Sequence, residues 1–199
     1  MEKPALTQVP IDATIAARWS GRAYDASRVV TREQVIALLE AARWAPSCYG
    51  DQPWRFIVWD RNTDATAWQQ AFECLVPGNQ AWAKDAPVLL LVAADSLFNH
   101  NGKENRWAQY DTGAAAENLC LQAASMGLMA HQMAGFDPDR ARAVSGVPER
   151  YALMAMITVG YPADIATLSG EALERETSVR TRRPLGELFF NGIWGKPVV

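Results

Sequence analysis

The stretch AARWAPSCYGDQPWRF, residues 41–56, decides how this chain is read. It begins as the tail of a helix and ends as the start of a strand. Upstream, Thr31 with Gln34 forms a capping box, and Val35, Leu38, Leu39 and Ala42 recur at helical spacing, which predicts a helix over Thr31–Trp44. Downstream, Arg55-Phe-Ile-Val-Trp59 is β-branched and aromatic, which predicts a strand. Between them, Pro46 and Pro53 fix φ, Gly50 permits a tight turn, and Ser47 and Gln52 can present a hydroxyl and an amide. Framed by Trp44 and Trp54, the connection suits a planar ligand with a polar edge. It equally suits an ordinary helix–strand link with both tryptophans in the core.

Working outward, Ile11–Arg18 reads as a short helix and Ala65–Leu75 as another, punctuated by Pro77-Gly78. Val88–Ala93 reads as a buried strand. Trp107–Met126 reads as one long helix, rich in small residues (Gly113, Ala114, Ala115, Ala116, Ala123, Ala124) and ended by Gly127. It is apolar nearly all round and is therefore expected to be buried. Its small residues admit a second helix, which makes it a candidate dimer core. Leu128–Met133 reads as a strand, Asp137–Val144 as a helix capped by Asp137, and Met154–Val159 as a strand. This order predicts an α/β or α+β sheet with helices against it. From Thr177 on there is little periodicity but many arginines and aromatics. That tail is expected to pack along another surface, such as a partner subunit.

Composition bounds the function. The 199 residues carry 19 basic and 22 acidic side chains, net −3, which gives no surplus for nucleic acid. Cys48, Cys74 and Cys120 form no CxxC pair, and His100 and His131 offer little for a metal site, so neither a disulfide framework nor a metal centre is expected. There is no signal-peptide h-region, and the longest apolar run, Ala86–Ala94, is too short to span a bilayer. A cytoplasmic protein without membrane contact is expected.

Several clusters can carry chemistry. RWSGR, residues 18–22, sets two guanidiniums about a hydroxyl, which suits a phosphate or simply a solvated helix end. RTRRP, residues 180–184, suits the same anion or a surface patch. GNQAW, residues 78–82, offers Asn79 and Gln80 amides or a plain turn. AGFDPD, residues 134–139, offers close backbone approach at Gly135 or a helix cap at Asp137. Nucleophile, P-loop, zinc and dinucleotide signatures do not occur. No catalytic side chain is expected, and a bound cofactor is expected to carry the reaction.

In this order the pieces resemble the nitroreductase family of FMN-dependent flavoenzymes, from about Ile11 to Pro184. Residues 41–56 are similar to the family's A-R-x-A-P-S-x-x-N-x-Q-P-W pattern, and they lie between an R-x-S-x-R start and an R-x-R near the end. The resemblance implies one α+β domain over residues 1–199. Its mainly antiparallel sheet is flanked by helices, and its C-terminal tail is swapped in a homodimer. It implies FMN at the subunit interface, with NADH or NADPH as donor. Arg18, Trp19, Ser20 and Arg22 match the phosphate and ribityl segment, and Arg180 and Arg182 the pair that completes the phosphate site. Pro46, Ser47 and Cys48 match the loop given by the other subunit, Asn79 the amide at the flavin's polar edge, and Ala134 and Gly135 the backbone facing N5. Asp111 stands where some members present Gln to the flavin. Gly50 replaces the usual Asn, and Ala134 a Glu found in some members. The implied activity is hydride transfer through flavin N5 to nitroaromatic, quinone-like or other conjugated acceptors, with ping-pong kinetics. Arg22 is the candidate cation beside the reduced ring. The alternatives are a flavin-binding storage or sensor protein, and a dehalogenase or flavin-consuming member of the same fold.

Overall fold

The computed structural model describes residues 3–199. Four antiparallel strands form one sheet: β1 (Trp54–Asp60), β2 (Val88–Asp95), β3 (Met129–Met133) and β4 (Tyr151–Gly160), in the order β1-β2-β4-β3. β2 is buried at every position. It therefore reads as a continuous apolar run rather than an alternation, as a strand covered on both faces must. Leu89, Leu91 and Ala93 point to one core with Trp59, Trp68, Trp82 and Met156. Val88, Leu90 and Val92 point to the other with Leu38, Ala42, Leu119 and Ile157.

Two helices cover that second face: α2 (Arg32–Arg43) and α5 (Ala108–Ser125), packed on each other. The capping box at Thr31 and Gln34 is present as the spacing predicts. The first face is covered by α3 (Ala65–Phe72), α4 (Pro77–Ala83), α6 (Pro138–Ser145) and α7 (Gly170–Thr177). Two short helices, α1 (Ala13–Ala17) and α8 (Leu185–Leu188), lie near the ends. Asp137 caps α6 through its carboxylate, accepting from Asp139 and Arg140 N–H groups. This is the α+β fold with a central antiparallel sheet flanked by helices that the sequence implies.

Three expectations change. Pro77-Gly78 does not end a helix; it starts α4, because proline at the first helical position lacks only an N–H that would be unpaired there anyway. The long helix α5 is not buried all round. Ala115, Leu119 and Ala123 face the sheet, whereas Tyr110 is 83 % exposed and Gly113 and Glu117 stand open. The stretch before Thr177 also holds a helix, α7, that the apolar spacing did not announce.

Candidate functional site

The segment after α1 runs beside the end of β4. Asp25 N–H donates to the Tyr161 carbonyl at 2.9 Å, and Ala163 N–H to the Ala23 carbonyl at 2.8 Å. This places Arg18–Arg22 over the β3–β4 end of the sheet. Arg18 Nη1 donates to Ser20 Oγ at 3.4 Å, and its Nε lies 3.3 Å from Glu117 on α5. Arg180 arrives from the far end of the chain. Its guanidinium donates to the Arg18 carbonyl at 3.1 Å, to the Ala16 carbonyl at 3.2 Å, and to the Lys3 carbonyl. Burial, and then the positive charges of Arg18 and Arg182, hold Arg180 below the usual arginine range. Arg180 thus joins the Arg18 segment beside a hydroxyl, and the Arg182 charge is near enough to act on Arg180.

Trp19 flanks this cluster, its ring under Lys3 Nζ at 4.6 Å. Arg22 lies 5.8 Å from the centre of the Trp82 ring on α4. Burial draws Arg22 down, and Glu176 partly restores it. Asn79 is one helical turn before Trp82, so both share a face of α4. Asn79 Nδ2 donates to the Gly135 carbonyl at 2.9 Å, and Val76 N–H donates to the same oxygen at 3.1 Å. A side chain at Gly135 would stand 2.7 Å from Asn79 Nδ2 and 2.8 Å from Val76 Cγ2, so only glycine allows this approach. Asn79 keeps a second N–H and its carbonyl oxygen for other partners. Ala134, between Met133 and Gly135, is exposed.

The residues of the opening loop lie apart from this cluster. Cys48 N–H donates to Asp111 Oδ2 on α5 at 2.9 Å, and Gln52 N–H to Ser47 Oγ at 3.0 Å. Asp111 is 4 % exposed, so its carboxylate serves the loop from inside the protomer. Tyr49 and Gln52 adopt left-handed φ of 55° and 52°, and Gly50 one of 66°. Such non-glycine strain persists only where surrounding contacts hold it. Pro46 and Tyr49 are exposed, Ser47 and Cys48 half-buried. Of the two tryptophans, Trp54 is in the core and Trp44 is exposed.

Two site residues escaped the sequence reading. His131 lies on β3, facing the same way as Met129 and Met133, and stacks on Trp82 at 4.6 Å. Burial depresses it from 6.5 to about 4, so it is neutral at pH 7. Glu176 on α7 is 2 % exposed, and burial raises its carboxyl above the usual range. The period-2 pattern of β3 is a signal that could have pointed His131 inward; nothing local marks Glu176. The buried Cys120 thiol is pushed up to about 12, which leaves it inert as a nucleophile at neutral pH. Among the described residues no cluster of His, Cys, Asp and Glu could hold a metal, and no helix is long and apolar enough to cross a membrane.

Known proteins share this architecture. The family model described as the nitroreductase family matches residues 15–161. An uncharacterized 15.4 kDa protein of Mycolicibacterium smegmatis is 38 % identical over 72 % of this chain and 99 % of its own length. An NADH dehydrogenase of Thermus thermophilus is 31 % identical over 64 % of this chain and 75 % of its own. A crystal structure described as the oxidoreductase containing FMN superposes with a TM-score of 0.88 at 33 % identity, covering 96 % of both chains. With the matched region spanning the sheet, helices α2 to α6 and the first arginine segment, the chain belongs to the nitroreductase family.

Proposed function

We propose that the protein is an FMN-dependent oxidoreductase, a cytoplasmic homodimer that takes hydride from NADH or NADPH. It delivers the hydride to small nitroaromatic, quinone-like or otherwise conjugated acceptors, with donor and acceptor alternating at one site. The observation that carries this reading is the meeting of Arg180 with the Arg18 segment beside Ser20, from segments more than 160 residues apart. Glu117 meets part of the Arg18 charge and backbone carbonyls hold Arg180, and an anion such as the FMN phosphate balances the positive charge that remains.

The donor set fits FMN along its length. Arg18, Ser20, Arg180 and Arg182 hold the phosphate. Trp19 lines the next stretch, and Arg22 faces the ring as a fixed positive charge that favours negative charge developing there. Asn79 and the Ala134–Gly135 backbone meet the polar edge. Pro46, Ser47 and Cys48 reach the ring from the partner subunit, and Asp111 acts through the loop it holds. When bound, FMN supplies the centre that accepts and then donates hydride. The protein's own work is to bind, orient and exclude water. The dimer is supported by apolar residues standing open along the tail, among them Phe189, Ile193 and Trp194, the last 87 % exposed.

The test is direct. The purified protein is examined for flavin absorbance, then mixed anaerobically with NADH or NADPH. Bleaching, followed by recovery of colour on adding a quinone or nitroaromatic, supports the enzyme. A bound flavin that neither nicotinamide bleaches points to storage or sensing. A colourless protein that takes up no added FMN overturns the reading.

A further inference from the structure

The peptide that joins Gly21 to Arg22 is gripped on both edges by buried side chains from distant elements. The Gly21 carbonyl accepts from His131 Nδ1 on β3 at 3.0 Å. The Arg22 N–H donates to Glu176 Oε2 on α7 at 2.9 Å. A loop peptide can satisfy both groups with water at no cost. Here an imidazole and a carboxylate have been taken out of water to do so, which costs free energy unless each is well partnered. Gly21 carries no Cβ, so local sterics do not fix the plane of this peptide. The space around it is closed: a Cβ at Gly21 would lie 2.2 Å from Met129 Sδ and 3.2 Å from Glu176 Oε1. Trp82 covers the imidazole, and Lys3 Nζ ties the Glu176 backbone carbonyl at 2.6 Å.

We propose that His131 and Glu176 are positioning residues: together they clamp the Gly21–Arg22 peptide and so set the direction in which Ser20 and Arg22 face the cofactor. This rests on the reading that the Arg18–Arg22 segment holds FMN. The glycine supplies closeness and the clamp supplies orientation. Because a carbonyl only accepts, the imidazole proton is on Nδ1. Glu176 also places its carboxylate beside Arg22, which offsets part of what burial costs that guanidinium.

The test compares FMN dissociation constants, read by flavin fluorescence, with the melting temperature of each variant. His131→Phe keeps the ring against Trp82 but has no donor, and Glu176→Met keeps the length but has no carboxylate. Each should weaken FMN about tenfold or more, as loss of a buried charge-linked or neutral hydrogen bond does. His131→Asn and Glu176→Gln return a donor and an acceptor and should recover affinity to within about threefold. Leu38→Ala, in the opposite core, lowers melting temperature through a cavity and should leave affinity within about threefold. In the unsubstituted protein, 15N NMR should place the His131 ring proton on Nδ1 at pH 7. Equal losses in the Phe and Asn variants, or in Met and Gln, or a Leu38→Ala loss as large as theirs, overturn the clamp. So does a ring proton on Nε2, which decides the matter even where the Phe and Met variants fail to fold. An unsubstituted protein that binds no FMN overturns the proposed function instead, before any variant is compared.

Discussion

Single residues at the arginine cluster carry the sharpest expectations. On the proposed function, removing Arg18 and Arg182 together by alanine deletes two charge-assisted contacts to the FMN phosphate, each worth about 1.5–3 kcal/mol. FMN affinity should fall by roughly a hundredfold or more in a fluorescence titration, whereas Cys48→Ala should change it by less than about threefold. Equal losses in the two variants would remove the phosphate assignment and favour a thiol role. His131 makes a separate prediction about pH. Its imidazole is depressed from 6.5 to about 4, so the folded protein binds fewer protons than the unfolded chain between those values. Stability is therefore full above pH 6.5, falls as pH drops through this window, and levels off below about 4. The total loss from this residue is about 3 kcal/mol. Chemical denaturation at pH 7 and pH 4.5 should show a smaller difference in His131→Phe than in the unsubstituted protein; identical slopes would mean that His131 titrates normally.

At the level of elements, α5 does two things at once. One side seals the second core through Ala115, Leu119 and Ala123. Its first turns hold the loop after α2 through Asp111. Asp111→Ala leaves the Cys48 N–H without its acceptor and should cost about 2 kcal/mol, with faster proteolysis between Ala45 and Pro53. Asp111→Asn keeps an acceptor oxygen and should recover most of that loss in thermal melts. On the proposed dimer, the open side of α5, with Tyr110, Gly113 and Glu117, is the side available to a second protomer. Most of the small residues that suggested a helix–helix seam, Ala115, Ala116 and Ala123, instead pack in the protomer's own core, and Gly113 is the small residue on the open side.

On the scale of the whole molecule, the tail after α7 is the least covered part. It folds back on itself, with Asn191 N–H to the Lys196 carbonyl at 2.8 Å and Val198 N–H to the Phe189 carbonyl at 3.1 Å, yet leaves Ile193 and Trp194 open. Truncation after Pro184 should shift sedimentation from dimer to monomer and weaken FMN binding in parallel. A truncated chain that remains a dimer with full FMN affinity removes the tail from the interface. FMN at a hundred times its dissociation constant should raise stability by about 2.7 kcal/mol through mass action alone.

What the sequence determined by itself was largely local. The capping box and apolar spacing of α2, the continuous apolar run of β2, and the acidic cap of α6 are decided within a few residues, by hydrogen bonds and periodicity that neighbours supply. The motifs at residues 18–22, 41–56 and 180–182 stood out for the same reason, by residue type and close spacing, while what they bind rests on the proposed function. Tertiary structure decided the rest. Whether Arg180 meets Arg18 depends on the path of the chain across the sheet. That Asp111 turns inward to the Cys48 N–H, that His131 and Glu176 close on one peptide, and that only half of α5 is covered depend equally on which surfaces are brought together. Periodicity can turn a residue such as His131 inward, but which distant partner it meets leaves no trace in the chain, because pairing belongs to the space between elements and not to any one of them.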